Sequence, residues 1–164
     1  LARQTIEAYI GERKQISIPR DLLEEMYESR AGVFVSLKEE GRLRGCIGTI
    51  APVQKNIAEE IIANAISAST KDPRFHPVQP DELDKLVYSV DVLGTPEAIT
   101  SPDELDVKRY GVIVTKGRKR GLLLPNLDGV DTVEDQITIA KQKAGISTYD
   151  DAVQLERFEV VRHF

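Results

Sequence analysis

The chain predicts an α+β fold in which a mainly antiparallel sheet is flanked by helices. Three observations predict it: apolar stripes at helical spacing in separate segments, two runs that read as β-hairpins, and the absence of a regular strand–helix alternation. At 164 residues, 41% of them hydrophobic, the chain can bury one core, divisible into two lobes, and is too short for two ordinary domains.

The first residues, LARQTIEAYI, place Ile6, Tyr9 and Ile10 on one face of an amphipathic helix. Pro19 and Asp21 then open a second helical segment, PRDLLEEMYESR, with Leu22, Leu23 and Met26 inward. GVFVSLKEEGRLRGCIGTI reads as a hairpin, with Val33 to Leu37 outbound, Glu39 to Arg42 turning and Leu43 to Ile50 returning. Behind Pro52, a helix carries Val53, Ile57, Ile61, Ala65 and Ala68 on its buried stripe. The proline-rich TKDPRFHPVQP is an ordered-loop candidate, and DELDKL makes a helical turn into the strand LVYSVDVL. YGVIVTKGRKRGLLLP gives the second hairpin, with a basic tip between Gly117 and Gly121. Thr132 and Asp135 form a capping box for a helix that Gly145 stops, and LERFEVVRHF supplies one last strand.

Composition excludes several function classes. A net charge of −5 argues against wholesale attraction to nucleic acid or anionic membrane. The most apolar segment, Ile57 to Ala68, carries two glutamates and an asparagine, so it is not a membrane span. The single cysteine rules out an internal disulfide, and no Cys/His cluster has metal-ligand spacing; no metal or cofactor is expected, and a reducing cytoplasm fits best.

That cysteine, Cys46, lies in LRGCIGT. Strand alternation puts Arg44, Cys46 and Gly48 on one face, where a guanidinium favours a thiolate and the flanking glycines let a ligand or a second backbone come close. The alternative is a small buried thiol with Arg44 tied to a loop carboxylate. His76 and His163 are the only candidate bases for a Cys–His pair. In DPRFHP, Asp72 and Arg74 stand two apart beside Phe75 on a proline-stiffened loop, either as a site or as an internal ion pair. KGRKR reads as a phosphate contact or as a solvated hairpin tip.

Together these motifs resemble the AMMECR family along nearly the whole chain. Its signature stands at Arg44, Gly45, Cys46, Ile47, Gly48 and Thr49 after Leu43; its D-x-R-F-x-P element at Asp72, Arg74, Phe75 and Pro77; and its acidic turn at Glu82 and Leu83. Later matches fall at Gly111, Leu124 with Pro125, and Lys143 to Gly145. The resemblance implies a single domain over residues 1–164 with two unequal lobes and both termini in the larger. It leaves position 76 variable, which weakens a Cys46–His76 dyad. It also implies partnership with a Memo-type protein, fused or separate, and with a radical SAM protein, as in an AmmeMemoRadiSam system. A chain lacking an initiator Met fits the C-terminal part of a Memo–AMMECR fusion.

Two functions compete, with nucleic-acid binding through KGRKR a weaker third. One is a cleft between lobes built from Arg44, Cys46, Asp72 and Arg74, with Cys46 as nucleophile and Gly45, Gly48, Thr49 and Phe75 shaping the binding surface. The other is a partner or substrate module without catalysis of its own, favoured because no complete catalytic constellation accompanies the cysteine.

Overall fold

A computed structural model describes residues 1–164 and divides them into two compact units, Leu1–Leu93 with Val161–Phe164, and Gly94–Val160. Each unit is built on its own four-stranded sheet, and the strand pairings with a defined register are all antiparallel. The α+β expectation holds, with the strands shared between two sheets. No helix is long and apolar enough to cross a membrane.

In the first unit, α1 (Ala2–Ile6) runs on as a π-helical turn over Glu7–Gly11. The second predicted helix shrinks to α2 (Glu24–Glu28), because Leu22 and Leu23 precede it and Leu23 is left 72% exposed. The Tyr27 hydroxyl, which donates to the Pro19 carbonyl and accepts from the Leu22 amide, holds the lead-in segment in a non-helical path. Strands β1 (Val33–Glu39) and β2 (Arg42–Gly48) form the first hairpin. Glu40 and Gly41 both take positive φ, as a two-residue turn matching strand twist requires. Helix α3 (Ile57–Thr70) starts five residues after Pro52. Asn56 caps it by accepting the Glu59 amide, and Glu60 takes the Val53 and Gln54 amides, so those residues form a loop and Val53 lies exposed. A 3₁₀ turn (Pro80–Lys85) leads into β3 (Leu86–Leu93).

The first sheet has the order β2-β1-β3-β8, with β8 spanning Val160–His163, so β2 is an edge strand. Its inner face buries Val33, Val35, Leu37, Leu86, Tyr88 and Val90 against α1 and the Ile57, Ile61, Ala65, Ala68 stripe of α3. This is the core that the alternating and helical patterns predict.

The second unit contains β4 (Glu97–Ile99), β5 (Gly111–Lys116), β6 (Lys119–Leu123), α4 (Val133–Ala144) and β7 (Gln154–Phe158), its sheet ordered β4-β7-β5-β6. Thr132 accepts the Asp135 amide at 3.1 Å, and Gly145 ends α4 with φ of 73°. The single last strand of the sequence reading is two strands, β7 and β8, separated at Glu159 and belonging to different sheets. Strand β4 is too short to leave a periodic signature and was not expected.

Candidate functional site

Arg44, Cys46, Asp72, Arg74 and Phe75 all belong to the first unit, so the structure assembles them within one unit, with none of them contributed by the second. Ser36 pairs with Cys46 and Leu37 with Gly45, but Lys38 pairs with Leu43, leaving Arg44 as the extra residue of a β-bulge. The strict alternation expected along this strand therefore breaks at Arg44: Leu43, two residues before Gly45, does not share its face but follows Lys38 to the opposite one and is 42% exposed. The bulge gives Arg44 to a different partner. Its guanidinium forms a two-pronged pair with Glu82, 2.8 and 3.1 Å, with Glu39 at 3.9 Å. The Glu82 hydrogen bond raises the Arg44 pKa further, and the same bond lowers that of Glu82.

Cys46 is half-buried. Its thiol meets the Ser36 hydroxyl across the strand pair at 3.3 Å. On the open side of β2 its backbone meets the DPRF loop. The Cys46 amide donates to Asp72 Oδ2 at 3.0 Å, and its carbonyl accepts from Arg74 Nη2 at 3.3 Å. Asp72 in turn holds Arg74 at both Nε and Nη2, 3.0 and 2.8 Å, and accepts the Arg74 amide at 3.1 Å. Asp72 is 5% exposed, yet its pKa is held down at about 2, chiefly by the Arg74 guanidinium and also by the Cys46 amide, against the opposing effect of burial. Asp72 and Arg74 thus act as a surrogate neighbouring strand, satisfying the donor and acceptor that an edge strand leaves bare.

The glycines serve packing. A Cβ on Gly45 would lie 2.3 Å from the Ala68 carbonyl oxygen of α3, and one on Gly48 would lie 2.2 Å from the Phe34 ring. The second backbone, not a ligand, is what approaches Gly45. Thr49 joins the end of β2 to α3, its hydroxyl accepting from Asn64 at 3.2 Å. A solvent-open groove of about 400 Å³ remains beside the strand, lined by Arg44, Pro73, Arg74, Phe75 and His76. Both guanidinium groups lie near the Phe75 ring, 5.9 and 5.4 Å from its centre.

Glu82 and Ser36 complete this arrangement; the sequence named Glu82 only within the acidic turn, not as the partner of Arg44, and did not single out Ser36. The Glu82 signal existed, in the DELDKL turn, but it lies 38 residues from its partner. The basic hairpin tip is largely committed within the second unit: Lys116 pairs with Asp150, Lys119 donates to the Gly145 carbonyl, and Arg120 faces Glu156 at 3.6 Å. No group of three or more His, Cys, Asp or Glu side chains is placed to hold a metal ion.

The AMMECR1 family model matches residues 1–163. This chain belongs to the AMMECR1 family. It is 54% identical over 163 residues to a Thermotoga maritima protein, covering 99% of this chain and 94% of that one. A Clostridium acetobutylicum protein is 56% identical over 164 residues, and there the match takes up 35% of a longer chain. The fold is similar to the crystal structure of an uncharacterized Pyrococcus horikoshii protein, with a TM-score of 0.90, 35% identity and coverage of 98% and 86% of the two chains. The LRGCIGT stretch at residues 43–49 and the DPRF loop are the two halves of one bonded unit, carried on a bulged edge strand.

Proposed function

We propose that this AMMECR1 domain is a partner or substrate module that works in the cytoplasm with Memo-type and radical SAM proteins, and that it presents the Arg74–Phe75 groove to them. One observation carries the reading: the Cys46 peptide group is clamped on its open side while its thiol hydrogen-bonds the Ser36 hydroxyl and no base. A nucleophile needs a proton acceptor within hydrogen-bond reach. His76 lines the groove but makes no bond to the sulfur. The Arg74 side chain, by contrast, is 54% exposed on a loop whose backbone is fixed by Asp72, a rigid cation beside an aromatic edge. Such a surface suits a partner segment bearing a carboxylate. The C. acetobutylicum relative supports the same reading, because there the matching region is joined to further chain. The reading treats residues 1–164 as one functional domain, supported by a family match that runs across both units.

A second reading, an enzyme or small-ligand binder centred on Cys46, is favoured by the 400 Å³ groove beside a half-buried thiol. Coexpression separates the two. A pull-down with Memo-type and radical SAM proteins should succeed with wild type and Cys46→Ser and weaken at least about tenfold with Phe75→Ala, which spares the clamp. Intact mass of the recovered domain then distinguishes partner from substrate. Absence of binding with an unchanged mass overturns the module reading, and loss confined to Cys46→Ser transfers the site to the thiol.

A further inference from the structure

The two arginines of the Arg74–Phe75 groove are each fixed by a carboxylate, and each keeps donors that nothing in the protein uses. Arg44 turns Nε and Nη2 to Glu82 at 2.8 and 3.1 Å, so one N–H of Nη2 and both of Nη1 are left. Together these make the open fork at the end of the guanidinium. Arg74 spends Nε on Asp72, and Nη2 on both Asp72 and the Cys46 carbonyl, so only the N–H groups of Nη1 are left. Both arginines line the groove of about 400 Å³, and both guanidinium groups lie over the Phe75 ring, 5.9 and 5.4 Å from its centre. The acids that fix them, Asp72 and Glu82, do not line it. In a chain of net charge −5, the ionisable lining of this groove is wholly basic: Arg44, Arg74 and His76.

A fork on one arginine and a single nitrogen on another set a requirement on the anion. The fork takes two oxygens side by side, and the Arg74 nitrogen calls for a third. A carboxylate has two oxygens, whereas a phosphate monoester has three terminal ones, spread around a tetrahedron, and about twice the charge. We propose that this groove is a phosphate-monoester site, with two oxygens on the Arg44 fork, the third on Arg74 Nη1, and the carbon side of the ester against Phe75. Because both guanidinium groups are already held, binding orders no long side chain. A phosphorylated side chain of a partner and a small free phosphate ester share this chemistry. The inference rests on the reading of this groove as the binding face, and it names the group that face selects.

The test is an NMR titration of the whole chain with inorganic phosphate and, separately, with acetate, at about pH 8 where phosphate is doubly charged and at constant ionic strength so that screening is fixed. Phosphate should give saturable shifts at the Arg44 Nε–H and at the amides of Arg74, Phe75 and His76, and should bind at least about fivefold more tightly than acetate. Arg44→Lys keeps a cation for Glu82 but has no fork, and should weaken phosphate at least about fivefold; Arg74→Lys, at a half-exposed side chain, should do the same. The spectrum of each variant shows whether it folds. N-acetyl phosphoserine amide and glycerol 3-phosphate then separate the two sources, the tighter binder naming the source. Absence of saturation, shifts confined to other residues, or two lysine variants that bind phosphate like wild type overturn the proposal. Acetate equalling phosphate overturns it too, and leaves a carboxylate-bearing partner and the module reading standing. Failure of the pull-down with phosphate binding intact sinks the module reading alone.

Discussion

Asp72 accepts the backbone amide of Cys46 at 3.0 Å, and through that one bond the two motifs of the chain become a single structure. The carboxylate closes the donor of an edge strand, while the Arg74 it holds closes the acceptor. Residues that look like reacting groups in the sequence are here engaged in ending a sheet. What stays open to a partner is the outer side of the loop, where Arg74 and Phe75 line the groove.

Replacing Asp72 by Ala should destabilise the domain by about 2–4 kcal/mol. It strips the partner from the Cys46 amide and leaves Arg74 without its counter-ion. Asp72→Asn keeps one acceptor and should cost less. Urea unfolding of the three proteins measures this, and an Ala variant within about 0.5 kcal/mol of wild type would show that the clamp is ornamental.

The depressed Asp72 pKa makes a prediction about acid. An ordinary aspartate titrates near 3.8, and in the fold this one titrates at about 2. The folded state therefore binds the proton more weakly than the unfolded chain. Its contribution, about 2 kcal/mol, is complete above about pH 4 and is lost as pH falls toward 2. Chemical denaturation of wild type should lose this increment between those limits, and Asp72→Asn should lack it. Parallel acid profiles for the two proteins would contradict the assignment.

Because Glu82 occupies Arg44 in a two-pronged pair, Arg44→Ala should leave the alkylation rate of Cys46 in the folded protein within about twofold of wild type. Iodoacetamide labelling followed by mass spectrometry checks this. A severalfold drop would mean that Arg44 serves the thiol after all.

Local signals were legible and distant ones were not. Helix α4 carries its own start and stop in Thr132 and Gly145, and the first hairpin carries its turn in Glu40 and Gly41. The start of α3 was misread because Glu60 captures the amides of Val53 and Gln54 from within the helix, which periodicity does not report. The bulge at Arg44 is likewise silent in the sequence: alternation counts residues, and a bulge adds one without changing residue types. Cys46, Asp72 and Arg74 stand out in the sequence because their residue types are distinctive, but that they bond to one another depends on pairings 26 and 28 residues apart that only the fold supplies.

Gly45 offers the sharpest test of the packing account of the signature. The Ala68 carbonyl oxygen, part of the α3 backbone, stands 2.3 Å from where a Cβ would be, so the methyl of Gly45→Ala can be accommodated only by moving helix from strand. A cost of about 2–3 kcal/mol is expected, at the high end for a single added methyl because backbone yields less readily than a side chain. Gly121 repeats the device in the second unit, with the Ala140 carbonyl oxygen of α4 at 2.1 Å from its virtual Cβ, and Gly121→Ala should cost a similar amount. Gly41→Ala, at φ of 78° with open space around it, should cost only about 1 kcal/mol, through backbone conformation alone. If thermal or urea unfolding ranks Gly41→Ala above Gly45→Ala, close helix–strand approach is not what requires glycine at position 45.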